Sequence, residues 1–245
     1  MQNIRELTLA ELVTQQSGAA TIFEKYHLDF CCKGKRTLAN ACQSQGLDLE
    51  EVVEKLEPIF QKSKSDGETS QNMPLDRLAD YIVYKHHSYV REMIPTLLAH
   101  TRKVAGKHGE NYPYLIRIAE LWEEVADELT QHMFKEENIL FPYIKRLVDA
   151  ERTGNEMLMP RQAFISNPIR VMELEHDKAG ELMQEIRELS DDYQTPPAAC
   201  ITWQLSFNEL KEFEQDLHRH IHLENNLLFT KGIQLENSLL MGVLH

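Results

Sequence analysis

No run of apolar residues in this 245-residue chain approaches the roughly 20 that a membrane-spanning helix needs. The opening segment MQNIRELTLAELV carries acids where a secretory signal carries basic residues ahead of a long apolar core. Both absences lead us to expect a cytoplasmic protein that does not use a membrane. Positive charge is scarce as well: 26 Lys and Arg stand against 39 Asp and Glu, a formal net charge of −13. That balance opposes the counterion release that drives nucleic-acid binding, and it disfavours an anionic membrane surface. Neither is an expected partner. Only four cysteines occur, and Cys31 and Cys32 are adjacent, a spacing that strains a mutual disulfide. Reduced thiols in a reducing compartment fit better than a disulfide framework. Strand-type alternation is nearly absent, so an all-α fold is expected.

What the sequence does contain is helical punctuation. In the first sixty residues, Thr8 with Glu11 and Asp48 with Glu51 match the capping-box pattern, an oxygen side chain followed three places later by Glu. These mark short helices in a small module, residues 1–60. Between them lies HLDFCCKGKRT, where Gly34 and the basic Lys33, Lys35 and Arg36 break the apolar period; this predicts an accessible turn carrying both thiols. Residues 61–73, within QKSKSDGETSQNMP, have the Ser, Gly and charge content of a flexible linker. From 74 to 245 four long periodic stretches follow, at 75–105, 112–149, 166–190 and 198–232, separated by GKHGENYP, ERTGNEMLMPRQ and DDYQTPPAA. Such a pattern predicts an up-down-up-down four-helix bundle. Pro95 should kink the first of its helices.

The chemistry lies in a repeat. LTQHMFKEENILFPYI and LHRHIHLENNLLFTKG share H-x3-E-x-N-x-L-F. A His and a Glu four residues apart share one helix face, so His132 with Glu136 and His220 with Glu224 each address a single point inside a bundle. A second pair of segments, HSYVREMI and HDKAGELM, adds His87 and His176, which precede His132 and His220 by 45 and 44 residues. A two-helix unit thus occurs twice, and six donors converge from four helices. Four imidazoles and two carboxylates suit a first-row ion, iron above all, and each carboxylate has two oxygens with which to bridge a pair of ions. His86 lies about 100° round the helix from His87, which places it on the surface or behind the ligands. His218 and His222 leave the face of His220. Glu128 and Glu175 are candidates to orient imidazoles. Leu140, Phe141, Leu228 and Phe229 are expected to pack the bundle. A rival reading takes Glu173 and His176 as the E-x-x-H of a ferritin-like di-iron bundle; it occurs once, where that pattern needs two copies.

LDFCCKG at 28–34, HSYVREMIP at 87–95, HMFKEENILFP at 132–142, MELEHDKAGELM at 172–183, TPPAAC at 195–200 and HIHLENNLLF at 220–229 carry a resemblance over essentially the whole chain. It resembles the iron-sulfur cluster repair di-iron proteins, the repair-of-iron-centres family. The resemblance implies a hemerythrin-like bundle with two iron ions, joined by a bridging oxide or hydroxide, on His87, His132, Glu136, His176, His220 and Glu224. It also implies a functional cysteine pair at Cys31 and Cys32. Oxygen-carrying hemerythrins have a further His one turn after the third histidine; here that position is Gly180, which leaves room for water, nitric oxide or another small ligand. The implied function is restoration of iron-sulfur clusters damaged by nitrosative or oxidative stress, with damaged iron-sulfur proteins as partners and iron as cargo; separately, Lys33, Lys35 and Arg36 beside Cys31 and Cys32 are expected to lower the thiol pKa values and suit the pair to a thiol relay. Nitric oxide reduction and an oxygen, nitric oxide or redox sensor are the alternatives. The state of assembly, a homodimer included, is left open.

Overall fold

The computed structural model of the protein describes residues 3–62, 72–155 and 164–243. Among them the regular structure is all helical, with one isolated antiparallel bridge between Thr8 and Thr37. Most of the linker expected at 61–73, and much of the breaker at 151–162, lie outside the described residues. No helix of the described residues is long and apolar enough to cross a membrane.

Four short helices form the N-terminal part: α1 (Leu9–Gln15), α2 (Gly18–Lys25), α3 (Leu38–Gln45) and α4 (Leu49–Lys62). The expected capping box at Thr8 forms in full, each partner's side chain reaching the other's backbone amide. At α4 only half of it does. Asp48 accepts the Glu50 amide at 2.9 Å, while Glu51 turns away to accept the Tyr26 hydroxyl at 2.8 Å. Gly34 is required by a close approach, since a Cβ there would stand 2.2 Å from the Phe30 carbonyl oxygen.

The bundle consists of four rods. The first runs α5 (Leu75–Ile82), a π-helical turn Val83–His87, then α6 (Ser88–His108). The second runs α7 (Tyr114–Lys135), a π-helical turn Glu136–Leu140, then α8 (Phe141–Thr153). The third is α9 (Ser166–Leu189), and the fourth runs α10 (Ile201–Leu223), a π-helical segment Glu224–Phe229, then α11 (Thr230–Val243). Helix α6 packs on α7 and α10, and α9 packs on the same two, which closes a four-helix ring. Short connections make sequential rods antiparallel. Pro95 lies inside α6 without ending it, and Gly154, at φ 64°, closes α8 in the left-handed region that costs a glycine little.

Two apolar clusters fill the bundle. One, the upper cluster, gathers Leu97, Trp122, Phe207 and Phe213 along one half of the rods; the other gathers Ile82, Leu140, Ile144 and Leu228 along the opposite half. The π-helical turns of rods one, two and four lie at the boundary between them. Such turns insert a residue into an α-helix and recur at functional sites. Here they coincide with His87, Glu136 and Glu224.

The N-terminal part is not a free arm. Leu9, Phe23, Phe30, Leu38 and Leu56 share the upper cluster with bundle residues. Phe30 sits edge-on to the rings of His218 and His222, at 6.0 and 5.8 Å. Arg219 pairs with Glu24 at 3.3 Å, and Thr14 bonds the His222 ring at 3.2 Å.

Candidate metal centre

The positions that share a helix face in the sequence meet at one buried point. His87, His132, Glu136, His176, His220 and Glu224 are all at most 2% exposed. They form two overlapping tetrads, His87, Glu136, His220, Glu224 and His132, Glu136, His176, Glu224, each with its donor atoms within 4.8 Å of one another. Both glutamates belong to both tetrads. Within the first, the Nε2 atoms of His87 and His220 are 3.1 Å apart, and within the second those of His176 and His132 are 3.0 Å apart. Glu224 turns one oxygen to each side: Oε1 is 2.9 Å from His220 and Oε2 is 3.1 Å from His176. Glu136 Oε2 stands 3.3 Å from His87 and 3.2 Å from His132.

The two-fold relation extends beyond the donors. Phe141 stacks on His87 and Phe229 stacks on His176, at 5.7 and 6.0 Å. The apolar repeat residues therefore pack the bundle, as expected, and two of them also cover imidazoles. Three of the four far nitrogens are held too. His87 Nδ1 meets Glu137 at 2.6 Å, His132 Nδ1 meets Glu175 at 3.0 Å and His176 Nδ1 meets Asn225 at 2.9 Å. An acceptor at Nδ1 fixes the proton there and leaves the Nε2 lone pair free for a ligand bond. Glu175 was legible in the sequence as an orienting residue. Glu137 and Asn225 were not, although both occupy the same variable place in H-x3-E-x-N.

Electrostatics favour a cation at this point. Without one, both oxygens of Glu136 lack a hydrogen bond, as does Glu224 Oε2, and a buried carboxylate with unmet oxygens is costly. Burial opposes charge on His87 and on His132, yet the close negative carboxylates outweigh it and raise each to about 10. Burial and the mutual repulsion of two carboxylates push the other way at Glu136, but the imidazoles hold it below its ordinary range. Imidazolium protons thus occupy the place that a metal ion would take. Chemically, imidazole and carboxylate donors facing one enclosed point fit one ion per tetrad.

The remaining candidates separate cleanly. Glu173 stands in neither tetrad, so the ferritin-like reading has no support among the described residues. Glu128 pairs with Lys178 at 2.6 Å on the surface. His86 is buried behind the ligands, stacked on His220 at 5.5 Å with its Nδ1 3.0 Å from Asp216. Gly180 keeps its space open: a Cβ there would meet nothing within 4 Å.

The thiols depart from expectation. Cys31 is buried, with 5% exposure, and Cys32 is half-buried. The turn folds over its own Asp29, whose Oδ1 accepts the amides of Cys31, Cys32 and Lys33 at 3.1, 2.9 and 3.2 Å. The Cys31 thiol donates to the same oxygen at 3.3 Å, and its sulfur lies 3.8 Å from that of Cys32. The Cys32 sulfur, burial and the Asp29 carboxylate hold Cys31 well above the usual thiol range, the reverse of the depression expected from Lys33, Lys35 and Arg36. The sequence pattern placed those cations near the pair but not Asp29 beneath it. Asn226, two residues beyond Glu224, donates to the Cys31 carbonyl at 3.1 Å and ties the turn to the bundle.

Residues 78–231 match the Hemerythrin HHE cation binding domain, and residues 5–59 match a domain of unknown function, DUF542. A Haemophilus influenzae protein named "Probable iron-sulfur cluster repair protein" is 37% identical over 91% of this chain and 95% of its own length. The iron-sulfur cluster repair protein YtfE of Yersinia pseudotuberculosis is 35% identical over 95% of this chain and 99% of its own. The chain belongs to the iron-sulfur cluster repair proteins built on a hemerythrin HHE bundle. The YtfE of Citrobacter koseri, also 35% identical, covers 94% of the chain, so the likeness to the family spans both the bundle and the cysteine module. In this family setting the two tetrads are a candidate site for metal ions.

Proposed function

We propose that this protein holds two iron ions, one in each tetrad, and gives up iron to rebuild iron-sulfur clusters damaged by nitrosative or oxidative stress. The observation that carries the reading is the sharing of Glu136 and Glu224 by both tetrads, which suits a pair of ions rather than one. When bound, iron is both cargo and a binder of small ligands. His87 and His220 would hold one ion, His132 and His176 the other, and the two glutamates would span them. Glu137, Glu175 and Asn225 keep three of the imidazoles presented through Nε2. Aromatic rings of Phe141 and Phe229 exclude water from the ligand faces.

The cysteine turn would act downstream of the bundle. Asp29, Cys31 and Cys32 bring three donor atoms within 4.8 Å, and thiolates are soft iron ligands. In the docked state Cys31 keeps its proton, so transfer requires the turn to be deprotonated or loosened first. Incubating iron-loaded protein with a nitrosylated [4Fe-4S] enzyme tests the whole scheme. Wild type should restore activity, Glu136→Ala should not, and a Cys31→Ser/Cys32→Ser variant that restores it fully would remove the thiols from the path.

A second reading is nitric oxide reduction at the same centre, where Gly180 stands in place of a further imidazole one turn after His176. Two electrons and two protons would convert two nitric oxide molecules to nitrous oxide and water. Nitrous oxide formed repeatedly with an electron donor present would support it; formation limited to one turnover would leave iron donation as the sole role.

A further inference from the structure

The two tetrads are alike in their donors but not in what stands behind them. The two-fold relation of the bundle places the residue that precedes the histidine of rods one and three beside an imidazole of a neighbouring rod. In rod three this residue is Glu175, and it accepts from His132 Nδ1 at 3.0 Å. In rod one the same place is taken by His86. Its ring lies flat on His220 at 5.5 Å and 9° instead of meeting it edge-on, and its Nδ1 is committed to Asp216 at 3.0 Å. As a result His220 Nδ1 is buried without any hydrogen-bond partner. The other three ligand histidines all have one.

The other pair of related places differs in kind but not in occupancy. Glu137 accepts from His87 Nδ1 at 2.6 Å and Asn225 from His176 Nδ1 at 2.9 Å, so both of those imidazoles keep a partner and the contrast between the subsites lies at His220. An imidazole whose far N–H is held by an acceptor is a better-oriented and more basic metal ligand, and losing such a partner costs about 10- to 100-fold in metal affinity.

We infer that the His87/His220 subsite is the weak one of the pair and is the source of the iron that leaves first, while the His132/His176 subsite retains its ion. His86 is the residue that sets this difference, as a positioning residue that acts through His220. The inference rests on the iron-donor reading only for its use; the inequality of the subsites stands on the side chains themselves.

Capture of ferrous iron by a coloured chelator from the anaerobically loaded full-length protein reads the inequality directly. One equivalent per chain should leave about 10- to 100-fold faster than the other. His220→Ala should abolish the fast equivalent and keep a slow one, and His176→Ala should keep only a fast one. Replacing His86 by Glu together with Asp216→Asn supplies the missing acceptor without a like charge beside it, and should slow the fast phase. Circular dichroism of each variant establishes that the bundle is intact; if the His86 pair does not fold, Glu175→Gln gives the complementary test, speeding the slow phase. Two equivalents leaving at one rate, or a fast phase that survives His220→Ala and is lost in His176→Ala, overturns the assignment. Unequal release without recovery of any damaged cluster leaves the assignment standing and sinks the donor role instead.

Discussion

At the scale of single residues, a proton and a metal ion compete for the same lone pairs. His87 and His132, raised to about 10 by the buried glutamates, are protonated in the metal-free protein at pH 7. Binding a cation must therefore expel protons, and apparent metal affinity should rise with pH between 6 and 8. Calorimetry in buffers of different ionisation enthalpy measures the release; uptake with no protons released would contradict the ligand assignment. Gly34→Ala acts at a single atom pair as well. A Cβ 2.2 Å from the Phe30 carbonyl forces the cysteine turn to shift, and thermal unfolding should show a loss of about 1–3 kcal/mol with iron content unchanged. Four of the six donors were legible because a helix converts a spacing of four residues into a shared face, and His87 and His176 because a two-helix unit repeats in register. Glu137, Asn225 and Asp216 were not, because each reaches an imidazole on another rod, and no local period records that contact.

At the scale of elements, the starts of the four rods were readable to within three residues, since breakers such as TPPAA leave little choice, while the last rod runs on to Val243, well past its expected end at 232. The π-helical turns were hidden. Their inserted residue changes which groups bond along the backbone while the apolar period on either side continues. The docking of the cysteine module was hidden too, because it depends on contacts between residues about 195 apart, such as Glu24 with Arg219 and Cys31 with Asn226. That contact carries a pH dependence. Burial raises Glu24 to about 7, against the pull of Arg219 and with the help of Glu214, itself raised by burial to about 6. A carboxyl whose folded pKa is raised favours the folded contact below its ordinary value near 4.5, and that contribution is lost as pH climbs through 7. The module should thus loosen between about pH 4.5 and 7, seen as faster alkylation of Cys31. Glu24→Gln should flatten the profile. Alkylation that slows as pH rises, or a Gln variant with the wild-type slope after correction for thiol ionisation, would contradict this account of the interface.

At the scale of the whole molecule, the centre lies where two apolar clusters meet and draws one or more donors from each of four rods. Ions bound there hold only the folded chain together, so removing them should lower Tm, by about 2–4 °C for each kcal/mol of lost binding linkage in a protein of this size. A chelator-treated sample with unchanged Tm would mean that the rods are held without the ions. The N-terminal part lies against the middle of the rod that carries His220 and Glu224 and sets the thiols beside it. The most direct test of a two-ion centre with shared glutamates is iron analysis combined with Mössbauer spectroscopy on wild type, Glu136→Ala and Glu224→Ala. The account predicts two irons per chain with the magnetic coupling of a bridged pair in wild type, and loss of that coupled pair in each variant. One iron per chain, or a coupled pair that persists when either glutamate is removed, would contradict it.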